Sequence, residues 1–225
     1  MSVEALARKI RGCIFDFDGT IIISEHVHMK AWEDLAQDLR RELPADFLEN
    51  SVGMSDLQLV KILAKFWQYN LPEQEILERK RNFYMLRCPT EASVVPGVVA
   101  AIEWLVKNSI PVAIATSSSR CEVEPVLRRL GIFEKFRGIC TVEDITHPKP
   151  APEIYICAAK RLDLPPEDCL AFEDSIAGVT SARAAGCGLV TVETLYSAQR
   201  LGPAILSIKN FLDKRLMDIL QSIVR

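Results

Sequence analysis

Short apolar runs alternate along this chain with longer segments of helical periodicity, and this alternation limits the folds that it can adopt. The apolar runs predict strands at residues 13–17, 112–116, 138–141, 169–172 and 189–192, with 204–208 as a further candidate. Most of these runs are apolar at successive rather than alternate positions, which is typical of parallel strands buried on both faces. Strands separated by helices indicate βαβ units, so we predict an α/β fold with a parallel sheet.

Helices are predicted where apolar residues recur every three to four positions, at residues 96–106, 152–162 and 175–185. Pro96 stands near the start of the first helix, where a missing backbone N–H costs little. Gly186 directly follows the last helix and is well placed to end it as a C-cap.

Between the first strand and Pro96 the pattern is helical, and residues 26–87 contain no convincing strand. Three apolar faces are expected there, formed by Trp32, Leu35 and Leu39, by Leu59, Ile62, Leu63 and Phe66, and, in a helix that begins near Pro72, by Ile76, Phe83 and Leu86. We therefore predict a helical insertion at residues 21–92, and a core formed by residues 1–20 and 93–225.

The composition excludes several classes of function. The formal net charge of the 225 residues is -3, which gives no support for a basic nucleic-acid-binding surface. No run is long and apolar enough to span a bilayer, and residues 1–5 lack the apolar stretch of a signal peptide. We expect a soluble, cytoplasmic protein that binds neither nucleic acid nor membrane, and that is a monomer or a weak oligomer.

The cysteines indicate a reducing compartment. They are odd in number, dispersed, and without a CxxC pair: Cys13, Cys88, Cys121, Cys140, Cys157, Cys169 and Cys187. Because several lie in apolar runs, where a thiol behaves as a small hydrophobe, we expect neither a disulfide framework nor a zinc site.

Four polar segments follow predicted strands, at the sheet edge where open α/β folds place their ligands. The first is Phe-Asp-Phe-Asp-Gly-Thr at residues 15–20, where Asp16 and Asp18 follow an apolar strand. Two carboxylates there can serve catalysis, although Asp-Gly is also a common turn. The second is Ala-Thr-Ser-Ser-Ser-Arg at residues 115–120. Its hydroxyl and backbone N–H groups can cradle a phosphate, or Ser and Thr can serve only as a helix N-cap.

The third and fourth segments add a cation and two more acids. In His-Pro-Lys-Pro-Ala-Pro, residues 147–152, the flanking prolines hold Lys149 in a stiff, extended stretch. A fixed positive charge suits an anion, although an incidental surface lysine is the alternative. In Phe-Glu-Asp-Ser-Ile-Ala-Gly, residues 172–178, the adjacent acids Glu173 and Asp174 end a strand, and helix capping by Asp174 or Ser175 is the alternative.

The four segments together predict a magnesium site beside a phosphate site. Four carboxylates at one sheet edge repel one another without a cation: Asp16, Asp18, Glu173 and Asp174. Hard oxygen ligands of this kind suit Mg²⁺. Thr116 and Lys149 would supply hydroxyl and cationic partners for a phosphate.

These segments, in this order and spacing, resemble the signature motifs of the haloacid dehalogenase-like hydrolases, in the branch of β-phosphoglucomutase and the sugar-phosphate phosphatases. The resemblance runs over nearly the whole chain, and residues 24–32 are similar to the start of that branch's cap. It implies a Rossmann-like parallel-sheet core with a helical cap inserted after the first strand, which agrees with the pattern above.

The resemblance implies roles for the acids. Asp16 would be the nucleophile that becomes an aspartyl phosphate, and Asp18 the general acid and then the general base. Mg²⁺ would be bound by Asp16, the backbone carbonyl of Asp18, Asp174 and Glu173. The dehalogenases of the superfamily lack an acid at the position of Asp18, so its presence favours phosphate esters over carbon–halogen bonds.

The resemblance also implies the phosphate ligands. Thr116, the backbone N–H of Ser117, and Lys149 would stabilise the transferring phosphoryl group. Ser118 lies in the same segment and is a possible substrate-binding residue. His28 matches a histidine at the cap hinge of the branch and could assist Asp18, with a histidine on a helix surface as the alternative.

Two departures from the branch bear on the substrate. Many relatives have Asp-Ser where this chain has Ile23-Ser24. In the cap loop at residues 52–56, which includes Gly53 as a possible substrate-binding residue, the mutases carry an arginine for the second phosphate where this chain has Asp56. Arg81 and Arg120 remain as basic candidates.

We therefore predict a Mg²⁺-dependent phosphomonoester hydrolase for a small phosphorylated metabolite, a sugar or polyol phosphate. The alternatives are a β-phosphoglucomutase-like mutase and a non-catalytic metabolite-binding module. The complete set of acids and the lysine argue against the module. A phosphate-receiver domain would not explain the helical insertion or the pair of Asp16 and Asp18.

Overall fold

The structure is a computed structural model that describes residues 10–47, 51, 54–68 and 72–224. The chain divides into two compact units, one of Met1–Ile23 and Val94–Arg225 (the core unit) and one of Ser24–Ser93 (the inserted unit). Among the described residues, no helix is both long and apolar enough to cross a membrane.

The core unit contains a six-stranded parallel sheet flanked by helices, as predicted. Its strands, in the spatial order β5-β4-β1-β6-β7-β8, are β1 (Gly12–Phe15), β4 (Val112–Ala115), β5 (Phe136–Cys140), β6 (Cys169–Glu173), β7 (Gly188–Val192) and β8 (Leu206–Ile208). Two short strands, β2 (Ile22–Ile23) and β3 (Ser93–Val94), form a separate pair where the chain leaves and re-enters this unit.

The α-helices of the core unit lie between these strands in the chain, except for the last, which follows β8. They are α4 (Val98–Lys107), α5 (Arg120–Arg129), α6 (Glu153–Arg161), α7 (Ile176–Ala185), α8 (Ala198–Leu201) and α9 (Lys214–Ile223). The predicted α7 is confirmed at both ends, because Ser175 is its N-cap and Gly186 ends it in the left-handed conformation. Apolar side chains of α6 and α7, such as Tyr155 and Val179, pack with those of the strands in one buried cluster.

The observed strands differ from the predicted ones by one or two residues at several of their ends. The first strand ends at Phe15 rather than at residue 17, because the Phe17 carbonyl accepts turn hydrogen bonds from the backbone N–H groups of residues 20–22. The strand predicted at residues 138–141 is β5, which begins at Phe136 rather than at residue 138. As β5 is the edge of the sheet, its exposed Arg137 hid the start of the strand from an apolar pattern.

The inserted unit is helical, and its described residues contain α1 (Glu25–Asp38), α2 (Asp56–Trp67) and α3 (Glu73–Glu91). Trp32, Leu35, Leu59, Leu63 and Ile76 are buried in one cluster, with Leu39 and Phe83 packed against it. Three side chains of the predicted apolar faces lie outside this cluster, since Ile62, Phe66 and Leu86 are exposed.

The difference on α2 has a simple cause. Leu59 and Leu63 lie one turn apart on α2, and a buried face that contains them can include the residues on either side of this line. In the structure the buried face includes Val60 and Trp67, and Ile62 and Phe66 are exposed. Both choices satisfy a helical period, so periodicity alone does not distinguish them.

The sequence indicated no disulfide framework, but one pair of cysteines is bonded. Cys140 at the end of β5 and Cys157 on α6 are joined as a disulfide, while Cys13, Cys88, Cys169 and Cys187 are buried thiols and Cys121 is an exposed one. The two bonded cysteines belong to different elements, so their spacing in the sequence gave no sign that they meet.

Candidate active site

The central strands of the sheet place three of the four polar segments side by side. Phe15 of β1 pairs with Ile114 of β4 on one side and with Phe172 of β6 on the other. Because all three strands are parallel, the residues that follow them emerge at the same edge of the sheet. Asp16 thus lies between the segment that begins at Thr116 and the pair of Glu173 and Asp174.

Asp16, Glu173 and Asp174 form a buried acidic cluster in which one carboxylate oxygen of each lies within 4.8 Å of the others. Burial raises the pKa of Asp16 to about 8, with a further contribution from the charge of Glu173 and a partial offset from Lys149. Burial, followed by the charges of Asp16 and Glu173, likewise raises the pKa of Asp174 well above its usual range. Three acids so close together are unfavourable without a cation.

Lys149 is the cation that contacts this cluster in the core unit. Its side chain is only 6% exposed, and Nζ donates to Asp16 Oδ1 (2.7 Å), Glu173 Oε1 (2.5 Å) and the carbonyl oxygen of Ala115 (3.0 Å). Burial would lower the pKa of this ammonium, but the charges of Asp16 and Glu173 raise it well above its ordinary value. The alternative of an incidental surface lysine is therefore wrong.

Glu173 is fully buried and is held by the turn that begins α7. Its Oε2 accepts the backbone N–H groups of Asp174 (3.1 Å) and Ser175 (3.2 Å) and the hydroxyl of Ser175 (3.1 Å). A Cβ at Gly178 would overlap this carboxylate, so the close approach requires glycine. Since Ser175 accepts the N–H of Gly178 as the N-cap, neither acid is used for capping.

Asp174 is held by a loop that the sequence did not indicate. The hydroxyl of Thr194, in the loop after β7, lies 3.1 Å from Asp174 Oδ2 and 2.6 Å from the Gly19 carbonyl oxygen. Gly19 adopts a positive φ of 74°, and a Cβ there would overlap the Asp174 carboxylate. A single threonine between strands carries no sequence signal for such a contact.

Asp18 is half-buried and accepts a hydrogen bond at Oδ2 from the hydroxyl of Ser118. Thr116 is buried, and its Oγ1 accepts the backbone N–H of Ser118 (3.0 Å), while Ser117 is exposed. The N-cap of α5 is Ser119, which forms a capping box with Glu122. Helix capping therefore does not account for the three residues that precede Ser119.

Arg120 is held by partners within its own unit. Its guanidinium donates to Asp144 (3.0 Å), to the carbonyl oxygen of Ile139 (3.1 Å) and, more weakly, to Glu124 (3.4 Å). Its backbone N–H donates to the Glu143 carboxylate at 3.0 Å. Three acidic residues thus surround this arginine at the start of α5.

The other candidate substrate-binding residues belong to the inserted unit. Buried Lys80, which the sequence did not single out, donates through Nζ to His28 Nδ1 (2.6 Å) and to Asp56 Oδ2 (2.7 Å). His28 also stacks on Tyr84, with ring centroids 4.1 Å apart, so it is not an unpaired surface histidine. Arg81 follows Lys80 on α3 and is partly buried. Gly53 lies outside the described residues.

The acidic cluster fits a divalent cation of the magnesium type. Its donors are carboxylate oxygens, which hard cations prefer, and in their ionised forms the three carboxylates carry more negative charge than Lys149 can balance. A bound divalent cation would favour the ionised forms of Asp16 and Asp174, whose pKa values are otherwise raised.

Comparison with known proteins agrees with this geometry. The family model described as haloacid dehalogenase-like hydrolase matches residues 10–186. The chain is 31% identical over 192 residues to the probable pseudouridine-5'-phosphatase of Drosophila melanogaster, covering 82% of each chain. It is 28% identical to the fructose-1-phosphate phosphatase of Escherichia coli K12, covering 83% of this chain and 98% of that one.

Solved structures share the fold. The β-phosphoglucomutase of Clostridium difficile superposes with a TM-score of 0.79 at 26% sequence identity. The match covers 96% of this chain and all of that one. The relatives therefore include both phosphatases and a phosphosugar mutase.

Proposed function

The chain belongs to the haloacid dehalogenase-like hydrolases, and from this membership we propose that it is a Mg²⁺-dependent phosphatase that hydrolyses small sugar or polyol phosphates through an aspartyl phosphate at Asp16. The observation that carries the proposal is the position of Asp16. Its carboxylate lies in the acidic cluster and 2.7 Å from Lys149, beside the loop that begins at Thr116. A nucleophile, a cation and hydroxyl donors at one sheet edge suit phosphoryl transfer.

The cation would be held by the carboxylates of Asp16, Glu173 and Asp174 with the backbone carbonyl of Asp18. When bound, Mg²⁺ would neutralise negative charge on the phosphoryl oxygens and keep Asp16 ionised. The chain's own contribution is the rigid support of these carboxylates, through the turn of Ser175 and the hydroxyl of Thr194.

The first chemical step forms a bond between a carboxylate oxygen of Asp16 and phosphorus, and breaks the bond from phosphorus to the ester oxygen. Asp18 donates its proton to that leaving oxygen. In the second step Asp18 takes a proton from water, the water oxygen bonds to phosphorus, and the Asp16 carboxylate is released with inorganic phosphate. The hydroxyl of Ser118, which donates to Asp18, supports the orientation of this acid.

The negative charge that spreads over the phosphoryl oxygens needs fixed donors. Lys149 supplies an ammonium that two carboxylates keep protonated, and Thr116 and Ser117 supply a hydroxyl and a backbone N–H. Because Lys149 already contacts Asp16, the attacking oxygen and the charge-stabilising ammonium are held together before substrate binds.

Two observations bear on the choice between phosphatase and mutase. Asp56 forms an ion pair with Lys80, so its charge is balanced within the inserted unit and its repulsion of a second phosphate is weakened. Arg120, the basic candidate of the core unit, is held by acidic partners. This second observation favours hydrolysis, while the likeness to a β-phosphoglucomutase keeps the mutase as the alternative.

A screen of phosphorylated sugars and polyols with Mg²⁺ tests the proposal. We expect release of inorganic phosphate that stops with a chelator and is abolished in Asp16→Asn. The control is Asp163→Asn, an exposed aspartate with a positive φ of 57° that asparagine tolerates. Equal activity in Asp16→Asn and the wild type would reject the proposal.

A further inference from the structure

Tyr155 is a buried tyrosine of α6 whose hydroxyl the proposed mechanism does not use. The side chain is fully buried, and its hydroxyl donates to Glu173 Oε1 at 2.7 Å. The sequence gives it only as an apolar position of a predicted helix. A phenol hydroxyl in a buried core is nevertheless a strong donor that needs a partner.

The hydrogen bonds of Glu173 show what the Tyr155 hydroxyl contributes to the position of this carboxylate. Oε2 is held by backbone and hydroxyl donors of residues 174 and 175. Oε1 has two donors, Lys149 and Tyr155. Lys149 also donates to Asp16 and to the carbonyl oxygen of Ala115, so all three of its N–H groups are used. Tyr155 is therefore the donor that holds Oε1 in place while Lys149 is shared.

The aromatic ring of Tyr155 contacts the same lysine. Lys149 Nζ lies 5.3 Å from the ring centroid, within the range of a cation–π interaction. One side chain thus touches both members of the ion pair, the carboxylate through its hydroxyl and the ammonium through its ring.

The helix that carries Tyr155 is well anchored. Cys157 of α6 is joined to Cys140 of β5, and the side chains of Ile154 and Ala158 are buried in the core cluster. The hydroxyl of Ser181 on α7 donates to the carbonyl oxygen of Ala151, just before α6. These contacts fix the position of the ring relative to the sheet.

We propose that Tyr155 is a positioning residue of the phosphoryl-binding site, which fixes Glu173 so that Lys149 remains bridged to Asp16. This inference rests on the proposed function of that site. Without the Tyr155 hydroxyl, Lys149 would be the one remaining donor to Oε1, and the carboxylate could rotate and draw Lys149 away from Asp16. Both cation binding and the chemical step would then weaken, while the fold would be retained.

The test is Tyr155→Phe, which keeps the ring and removes only the hydroxyl. We expect kcat for an aryl phosphate to fall about tenfold, as a single hydrogen bond to a charged group can be worth, with KM changed less than kcat. Thermal-shift titration with Mg²⁺ alone should give a half-saturating concentration several-fold higher than in the wild type. The matched control is Tyr196→Phe, the same substitution at a partly buried ring of the core unit, for which both readouts should stay within about twofold.

Each other outcome is informative. Tyr155→Phe with wild-type kcat and Mg²⁺ titration would overturn the inference, and so would loss of the folded state in Tyr155→Phe but not in Tyr196→Phe, because the hydroxyl would then support the fold and not the site. If the wild type hydrolyses no phosphomonoester, the proposed function fails. The Mg²⁺ titration of the two variants still tests Tyr155 in that case.

Discussion

The ammonium of Lys149 lies 2.7 Å from Asp16 Oδ1, although 133 positions separate the two residues in the chain. The bridge joins the end of β1 to the loop before α6, and its partner on the other side is Glu173 at the end of β6. A buried cation between two buried carboxylates is costly unless all of its hydrogen bonds are made, as they are here.

Replacement of Lys149 by Met should reduce turnover by at least about a hundredfold, which is the usual effect of removing one fixed donor from developing negative charge. The steady-state rate with an aryl phosphate measures it. Lys160→Met, at an exposed position of α6, is the control and should leave the rate unchanged. A Lys149→Met enzyme within a few-fold of the wild type would show that the ammonium is structural.

Gly178→Ala should strongly impair the enzyme. Alanine is the better helix former by about 1 kcal/mol, but its Cβ would overlap the Glu173 carboxylate and displace it from the turn. We expect loss of most activity and a lower melting temperature. Thr180→Ala, at an exposed position of the same helix, is the matched control. An active, stabilised Gly178→Ala protein would contradict the contact.

The metal-free protein should become less stable as the pH rises from about 4 to 8. The pKa of Asp16 is raised from 3.8 to about 8 by burial, and then by the charge of Glu173. Between these values the folded state binds a proton that the unfolded state has released, and this stabilisation is lost as the pH rises through 8. Denaturant titrations with chelator at several pH values measure the trend, and Asp16→Asn should reduce it.

The affinity for Mg²⁺ should increase as the pH rises. Protons compete with the cation for Asp16, so the half-saturating Mg²⁺ concentration should fall as the pH rises from about 6 to 8. Thermal-shift titrations at fixed ionic strength test this, with a monovalent salt as the control. A half-saturating concentration that does not change with pH would mean that Asp16 is not a ligand.

Much of the sheet could be predicted because its central strands are buried on both faces, as at Cys13 and Ile14 of β1. Their parallel order then places Asp16 beside Asp174. The hydrogen-bond partners of polar groups at buried positions could not be predicted in this way. Lys80 is charged and yet fully buried, and Tyr155 occupies an apolar position but donates to Glu173. Such pairings depend on tertiary contacts that no local pattern records.

Hydrolysis should exceed isomerisation when the enzyme is given β-glucose 1-phosphate. Arg120, which could hold a second phosphate, donates instead to Asp144 and to the carbonyl oxygen of Ile139. Phosphorus NMR, with and without a bisphosphate primer, follows both products. Rapid primer-dependent formation of glucose 6-phosphate with little free phosphate would establish the mutase, and Arg81 or Arg120 would then be tested as the holder of the second phosphate.

Asp16 should carry the phosphoryl group covalently during turnover. An acyl phosphate is reduced by borohydride to an alcohol, so an enzyme quenched during turnover with substrate and Mg²⁺ should contain homoserine at position 16. Mass spectrometry of the peptide that spans residues 12–30 detects this directly. With an aryl phosphate, whose leaving group departs without a proton from Asp18, Asp18→Asn should increase the yield because water is no longer activated. Phosphate release with an unmodified Asp16, or with homoserine in place of another aspartate, would show that Asp16 is not the nucleophile.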